Sequence, residues 1–215
     1  MGVHDRELPM FPLGMVVFPY QVVGLCVFEA RYHHMLSDID SVQRFGTCLI
    51  ARGTEVGGHD ERSSVGTLMQ ILGAQSLPNG QTLLMVEGLE CFEVSRWLSD
   101  SPYPRAVVRE RCCDEISVEP GLLKSTESAV RALRALQSEL FADQCLQTNC
   151  EMDSDPWVRS WQLCSMTPMS TLDQFKVLGL SDPNDRLRLL AEVCCERYGD
   201  YQRMIEVDMS PSPLD

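Results

Sequence analysis

Short apolar runs, broken by glycine, proline and asparagine, extend from Leu8 to about Glu115, and this pattern is typical of β-strands. Between the second and third runs, Asn79-Gly80 supplies the positive φ that a tight hairpin requires. Gly88 predicts a bulge or bend that divides the third run into two strands. The predicted strands are Phe45–Arg52, Val65–Gln75, Thr82–Leu98 and Tyr103–Cys113.

One segment in this first half has helical periodicity. Residues Glu29–Asp40 place Tyr32, Met35, Leu36 and Ile39 on one apolar face, so we expect a short amphipathic helix. In contrast, the polar and glycine-rich stretch Gly53–Ser64 predicts a mobile loop.

After Ile116 the apolar residues recur at helical spacing, which predicts several helices. Pro120 suits a first helical turn, Asp155 an N-cap, and Asp182 a second cap of the same kind. The pattern predicts an α+β chain with a β-rich N-terminal region and a C-terminal α-helical bundle. The predicted divisions are residues 7–116, residues 117–206 and a flexible tail at residues 207–215.

The apolar density of Leu8–Leu36 predicts burial in a sheet, yet this segment contains Pro9, Pro12 and Pro19. Proline lacks the N–H that a strand ladder needs, so it is confined to edges, strand ends and bulges. The residues alone leave open where the segment lies relative to the sheet, and it is the family resemblance described below that implies a crossing between strands.

Charge narrows the classes of partner. The net charge is −13, with 31 acidic and 18 basic residues, and no basic stretch that would neutralise phosphates. This balance argues against nucleic acid and against anionic membrane surfaces as partners. The N-terminal residues lack the apolar stretch of a signal peptide, and no run reaches the length of a membrane span, so a cytoplasmic protein is expected.

Ten cysteines are present, but no pair has the C-x-x-C spacing of common metal or redox sites. Several, such as Cys26, Cys48 and Cys164, lie where a strand or helix would place a small core residue, which favours buried free thiols. A zinc site that joins Cys112 or Cys113 to His33 or His34 is the alternative. The cysteines are Cys26, Cys48, Cys91, Cys112, Cys113, Cys145, Cys150, Cys164, Cys194 and Cys195.

Residues for catalysis are sparse. No G-x-x-x-x-G-K-[ST] phosphate loop and no G-x-S-x-G elbow occurs. The two lysines, Lys124 and Lys176, fall in helical segments on expected solvated faces, where a lysine is not desolvated enough to act as a base. His59 is interpreted as a solvated loop residue. We therefore expect no enzymatic activity, no catalytic residues, no cofactor and no metal.

Five blocks in order resemble the N-terminal substrate-binding domain of Lon proteases. They are "ELPMFPLGMVVFPYQVVGLCVFEARYHHML", "FGTCLIARGTEVGG", "VGTLMQI", "LLMVEGLECFEV" and "YPRAVVRE". A later stretch, "SWQLCSMTPMSTLDQFKVLGLSDPNDRLRLLAEV", is similar to the helical part that follows in such proteins, so the resemblance runs from about Glu7 to about Arg197. The family often has proline where this chain has Ala30.

The resemblance implies a PUA-like pseudo-barrel followed by a helical bundle, in a stand-alone form without ATPase or peptidase modules. It also implies a non-catalytic module that binds unfolded or apolar segments of client proteins in a groove. Ordinary core packing is the alternative for each apolar candidate, and a local ion pair is the alternative for Glu29 and Arg31. The candidate substrate-binding residues are Met10, Phe11, Phe18, Tyr20, Phe28, Glu29, Arg31 and Tyr32.

Two other functions remain open from the sequence. The first is an adaptor or regulator that docks on a separate ATP-dependent protease through the C-terminal helices, for which a large exposed apolar patch on those helices would be the sign. The second is RNA binding through the PUA-like part, which the net charge disfavours.

Overall fold

The computed structural model describes part of the chain, and several sequence predictions fall outside that part. These predictions concern Cys112, Cys113, Cys145, Cys150 and His59. The proposed zinc site is among them, because it requires Cys112 or Cys113. The described residues are 5–39, 43–55, 60–111, 116–141 and 151–208, with side chains described up to residue 205.

Two units make up the chain. The first unit contains residues 1–114 together with 171–181, and the second contains residues 115–170 together with 182–215. The main boundary lies next to the predicted one, but residues 171–181 group with the β-rich unit instead of with the other helices. Arg111 shows why: its guanidinium donates hydrogen bonds to the backbone oxygens of Leu178, at 3.0 Å, and of Gly179, at 2.6 Å.

Six antiparallel strands form one sheet in the first unit, in the order β1-β6-β5-β4-β3, with β2 paired to β5. The strands are β1 (Asp5–Pro9), β2 (Val22–Val27), β3 (Arg44–Arg52), β4 (Glu61–Ser76), β5 (Thr82–Trp97) and β6 (Arg105–Glu110). The four predicted strand runs are confirmed in place. The turn between β4 and β5 is also confirmed, because Gly80 has a φ of 81°.

The predicted division of the third run at Gly88 is wrong in one respect, because β5 is a single strand. The bulge is confirmed, since the register with β4 shifts just after Gly88. Gly88 also marks a change of neighbour: β2 pairs with Thr82–Glu87, whereas β6 pairs with Phe92–Trp97. A side chain at position 88 would overlap the Phe18 carbonyl oxygen, so this close approach requires glycine.

The proline-containing segment crosses from β1 to β2, as expected. Pro9 is the last residue of β1, and Pro12 and Pro19 lie outside the strands. Parallel bridges from Met10 to Gly46 and from Leu13 to Leu49 attach the crossing to β3, so the first and last strands of the sheet path are linked.

The core of the first unit consists of two clusters. Helix α1 (Ala30–Asp38) buries Tyr32 and Met35 in the larger cluster, and its other predicted apolar residues pack against it. In that cluster the rings of Phe11 and Tyr32 lie 4.1 Å apart between centroids. The smaller cluster contains Leu8, Met10, Cys48, Leu68, Phe92, Ala106 and Val108.

The remaining helices are α2 (Pro120–Leu140), α3 (Pro156–Met166), α4 (Thr171–Gly179) and α5 (Pro183–Asp208). Helix α4 belongs to the first unit. Two predicted details hold in the second unit: Pro120 is in the first turn of α2, and Asp155 caps α3 through a hydrogen bond of 2.8 Å. Helix α5 continues to Asp208, two residues into the predicted tail, and the other residues of that tail lie outside the described part. No helix in the described ranges is long and apolar enough to cross a membrane.

Candidate binding surface

Large exposed apolar side chains concentrate around β2 in the first unit. Seven of them lie between positions 15 and 85: Met15, Tyr20, Val22, Phe28, Leu72, Leu83 and Met85. In contrast, the second unit exposes Ile116, Tyr198 and Met204 within its described residues. Soluble proteins rarely expose many large apolar groups together, so a clustered set marks a candidate interaction surface.

Strand register explains this clustering. Leu25 and Val27 turn inward from β2, so Val22 and Cys26 face outward. The partner of Cys26 on β5 is Leu83, which also faces outward, and the partner of Gly24 is Met85. Because β2 and this half of β5 have apolar residues on both faces, burying one face leaves the other exposed and apolar. We call Val22, Cys26, Leu72, Leu83 and Met85 the β2 apolar face.

A depression of about 600 Å³ lies on the β2 apolar face and extends over adjacent residues of β4. Gly24 and Gly73 belong to its lining, and a Cβ at either position would meet no atom within 4 Å. The two glycines therefore keep this surface open and smooth, which suits a flat apolar contact.

A second concavity of about 250 Å³ runs between β2 and the crossing segment, and we call it the edge cleft. It shares Gly24, Leu25 and Cys26 with the depression, so β2 lines both. The other residues that line it are Phe11, Pro12, Leu13, Met15, Phe28, Glu29, Tyr32 and Glu55.

The charged residues that line the edge cleft, Glu29 and Glu55, are both acidic. Glu29 forms an ion pair of 3.1 Å with Arg31, and Arg31 donates a further hydrogen bond of 3.2 Å to the Glu55 backbone oxygen. The Glu55 carboxylate accepts a hydrogen bond from the Gly14 N–H. At the wall of the cleft, burial raises the pKa of the Tyr32 hydroxyl to about 12, so it stays protonated.

The predicted substrate-binding residues fall into three groups. Met10 and Phe18 are fully buried in the core, which leaves them no access to a ligand. Phe11 and Tyr32 are also buried, although both line the edge cleft. Glu29 and Arg31 form an ion pair with each other, which is the alternative to ligand binding that the sequence analysis left open for them.

Of the two exposed candidates, Phe28 lines the edge cleft, whereas Tyr20 lies in a turn with a φ of 60°. The sequence analysis missed Leu83 and Met85. The signal for them was the unbroken apolar run at the start of β5. In a strand with one face in solvent, apolar residues would instead alternate with polar ones.

The predicted mobile loop Gly53–Ser64 is partly wrong. Its last residues, Glu61–Ser64, belong to β4, and residues 56–59 lie outside the described part. Arg62 donates to Asp60, at 2.7 Å, and to Asp100, at 3.0 Å, while its guanidinium lies 4.9 Å from the Trp97 ring centroid. Burial alone would raise the pKa of Asp60, but the Arg62 hydrogen bonds bring it below its ordinary value. This network holds the start of β4 in place.

Within the described ranges, no three histidine, cysteine, aspartate or glutamate side chains come together as metal ligands. The described cysteines instead divide by exposure. Burial raises the pKa of the Cys48 and Cys164 thiols to about 12 and that of Cys194 to about 11. Cys26 and Cys195 are exposed. Because the thiolate is the reactive form, the buried thiols should be inert.

We expect iodoacetamide at pH 8 to alkylate Cys26 and Cys195 in the native chain and to leave Cys48 and Cys164 unmodified. Peptide mass mapping after a short reaction measures each site separately. A parallel reaction in denaturant, where all four react, controls for intrinsic reactivity. Equal native labelling of Cys164 and Cys26 would contradict the burial described here.

The chain matches the family model of the ATP-dependent protease La (LON) substrate-binding domain over residues 7–195. It is 26% identical to a Lon protease of Heliobacterium modesticaldum over 87% of its own length and 24% of the relative. It is also 22% identical to a "LON peptidase N-terminal domain and RING finger protein" of Schizosaccharomyces pombe, over 86% of its own length and 44% of the relative. The chain thus spans less than half of these relatives.

Two solved structures share the fold. A Lon N-terminal domain protein from Xanthomonas campestris is 28% identical with a TM-score of 0.55, and the match covers 86% of this chain and 96% of that one. The N-terminal domain of a Mycobacterium avium complex Lon protease is 17% identical with a TM-score of 0.62, covering 88% and 98%. With the family model matched over most of its length, the chain belongs to the family of Lon substrate-binding domains.

Proposed function

We propose that this chain is a non-catalytic module that binds unfolded or apolar segments of client proteins on the β2 apolar face. The observation that carries the proposal is the exposure of Val22, Leu83 and Met85, at 51%, 42% and 56%, side by side on two paired strands. Exposed apolar residues of this size cost solubility unless a partner covers them.

The chemistry of the surface suits unfolded polypeptide. Unfolded segments expose apolar side chains that folded proteins bury, so a flat apolar face selects for them through the hydrophobic effect. The thioether of Met85 is flexible and adapts to side chains of different shape. The family match concerns a substrate-binding domain alone, which supports binding rather than catalysis as the role of this chain.

The proposal includes two finer points. The bridges from Met10 and Leu13 to β3 link the ends of the strand path, which supports a PUA-like pseudo-barrel for the first unit. The buried, unpaired thiols of Cys48 and Cys164 suit a reducing compartment, so we place the chain in the cytoplasm.

Docking of the helices on a separate ATP-dependent protease is the competing function. One apolar depression in the described part of the second unit has a volume of about 300 Å³ and is lined by Ala129, Ala132, Cys194, Cys195 and Tyr198. This lining is made of small side chains apart from one tyrosine, and the exposed large residues nearby on α5 are Tyr198 and Met204. The apolar surface around β2 is larger, which favours client binding there.

Met85→Glu should weaken binding of an unfolded segment at least about tenfold, because it puts a charge in the apolar contact. The probe is a fluorescein-labelled decapeptide of alternating valine and threonine with two lysines at each end, followed by fluorescence anisotropy. Met204→Glu, a change at a methionine with 48% exposure on α5, is the matched control.

With client binding at the β2 apolar face, Met204→Glu binds the peptide as the unchanged chain does. If Met204→Glu weakens binding and Met85→Glu does not, the helices carry the contact, and the proposal is wrong. Thermal unfolding midpoints of both variants should stay near that of the parent chain, since both side chains are exposed.

A further inference from the structure

Strand β2 has an open edge. Its one partner is β5, and within the described residues no strand pairs with its opposite edge. Proteins usually protect such edges with proline, lysine or another charged side chain, or with a bulge. Residues Val22–Val27 read Val-Val-Gly-Leu-Cys-Val and contain none of these residue types. An unprotected apolar edge is a template for another extended chain.

The phase of the ladder identifies the open backbone groups. The Gly88 N–H donates to the Gln21 backbone oxygen at 2.9 Å, and this bond, at the start of the ladder, sets the phase of the β2–β5 pairing. Hydrogen-bonded pairs alternate along an antiparallel ladder, so Val23 and Leu25 also bond to β5. The N–H and C=O groups of the residues between them, such as Gly24, therefore point away from β5.

Space is available beside these groups. Gly24 and Cys26 line the edge cleft, whose far wall is the crossing segment. A Cβ on Gly24 would meet no atom within 4 Å, so the outward face of this residue is open, and glycine adds no side chain that would crowd a strand beside it. Alternate side chains of an added strand would lie beside the β2 apolar face, and the others would enter the apolar edge cleft next to Phe11 and Phe28.

Charge selects among extended segments. Glu55 lines the edge cleft at the Cys26 end of β2, together with Glu29, whose charge is paired with Arg31, and Glu87 is the cross-strand partner of Val22 at the other end. Carboxylates thus lie at both ends of the edge, and the whole chain has a net charge of −13. These charges attract a segment with lysine or arginine on its flanks and oppose a second copy of this chain.

We propose that clients bind by strand addition to the open edge of β2, as extended segments with apolar residues in alternation and basic residues at the flanks. This inference rests on the proposed function and specifies how the same surface makes its contact. Main-chain hydrogen bonds to β2 supply affinity with little dependence on sequence, while the apolar pockets and the acidic ends supply the preference.

Hydrogen exchange at single amides tests the pairing directly. With the lysine-flanked valine–threonine decapeptide at saturation, NMR-detected exchange at the Gly24 and Cys26 amides should slow about tenfold or more. The Val23 and Leu25 amides, already bonded to β5, should change much less. Side-chain docking without strand addition gives no such alternation, and its absence would overturn the proposal.

A proline at position 24 removes one edge donor without touching the β2–β5 ladder. Gly24→Pro should weaken binding of the decapeptide about fivefold to tenfold, since one backbone hydrogen bond is lost. Gly24→Ala keeps the N–H and should weaken binding less than Gly24→Pro does, and an equal loss in the two variants would overturn the assignment to the missing donor. If the Gly24→Pro variant does not fold, decapeptide binding is measured on Val22→Pro, which removes the neighbouring N–H that points away from β5.

The outcomes separate this inference from the proposed function. If Gly24→Pro binds as the parent does while Met85→Glu does not, the apolar face binds clients and strand addition is wrong. If no apolar peptide binds, both proposals fall. A decapeptide with glutamates in place of lysines should bind at least about fivefold more weakly, and equal binding would overturn the charge preference. Protection of Gly24 that rises with protein concentration alone would assign the edge to a second copy.

Discussion

Replacement of Arg62 by methionine should lower the free energy of unfolding by about 3 kcal/mol at pH 7. The side chain of Asp60 is only 4% exposed and depends on Arg62 for its charge partner and for two hydrogen bonds, of 2.7 and 3.1 Å. Loss of the guanidinium leaves this carboxylate buried without compensation, and it also releases Asp100 and the stacked Trp97 ring. Urea unfolding followed by far-ultraviolet circular dichroism measures the difference.

Arg52→Met is the matched control, because Arg52 on β3 pairs at 3.9 Å with Glu61, the neighbour of Arg62 on β4, and is 83% exposed. An exposed pair of this kind contributes little, so the control should change stability by less than about 1 kcal/mol. If the two variants lose the same free energy of unfolding, the buried network contributes no more to stability than the exposed pair does.

The pH dependence has a defined sign. The pKa of Asp60 is below its ordinary value in the folded chain, so the stabilisation by Arg62 is present above the ordinary aspartate pKa, near pH 4. It is lost as the pH falls through the lower folded value. Without Arg62, burial raises the pKa of Asp60 above its ordinary value, so the difference in unfolding free energy between the parent chain and Arg62→Met should be largest near pH 8. It should shrink as the pH falls through that raised value to below about pH 4.

This network shows where sequence reasoning fails. Asp60 and Arg62 sit in a polar, glycine-rich stretch whose local composition predicts a loop, and half of their partners come from far along the chain. Asp100 lies 38 positions from Arg62. Local pattern has no access to such pairing, because β4 is extended at its start by contacts that form only in the folded sheet.

Other elements follow from local physics and were predictable. The short apolar run of β3 and the glycine turn before β5 each need only a few neighbouring residues, and helix α1 needs only its apolar face. Pro120 and Asp155 act within a single helical turn. The same reasoning misses Arg186, which is fully buried in α5 with its guanidinium 3.7 Å from the Trp161 ring centroid. A charged residue at that position reads as solvated until its aromatic partner is known.

For the proposed surface, the sequence named other side chains than those of the β2 apolar face. It favoured aromatic residues of the crossing segment such as Phe18. This side chain is buried in the core, because the crossing segment is attached to the sheet at both ends. The exposed groups are those of β2 and β5, such as Met85. Which face of an apolar strand is covered depends on tertiary packing, so the run alone left both faces equivalent.

Gly66→Ala should be among the most destabilising single substitutions in the first unit, with a loss of about 3 kcal/mol or more. A Cβ at this position would overlap the backbone oxygen of Thr47 and lie 2.6 Å from the Phe92 ring. The oxygen belongs to the paired strand β3 and cannot move without breaking the ladder, and Phe92 is fully buried in the smaller core cluster. The strain therefore cannot relax at low energetic cost, as it could if the added carbon met only a flexible side chain.

Gly73→Ala on the same strand is the control, since a Cβ there meets no atom within 4 Å, and its stability should stay within about 0.5 kcal/mol of the parent. Urea unfolding of both variants at pH 7 measures the contrast. Each change adds one methyl group to β4, so helix or strand propensity contributes equally to both. A similar loss in the two variants would mean that the Phe92 ring and the Thr47 carbonyl yield to the added carbon, and that β3 and β4 are not in the close contact that places Phe92 in the core.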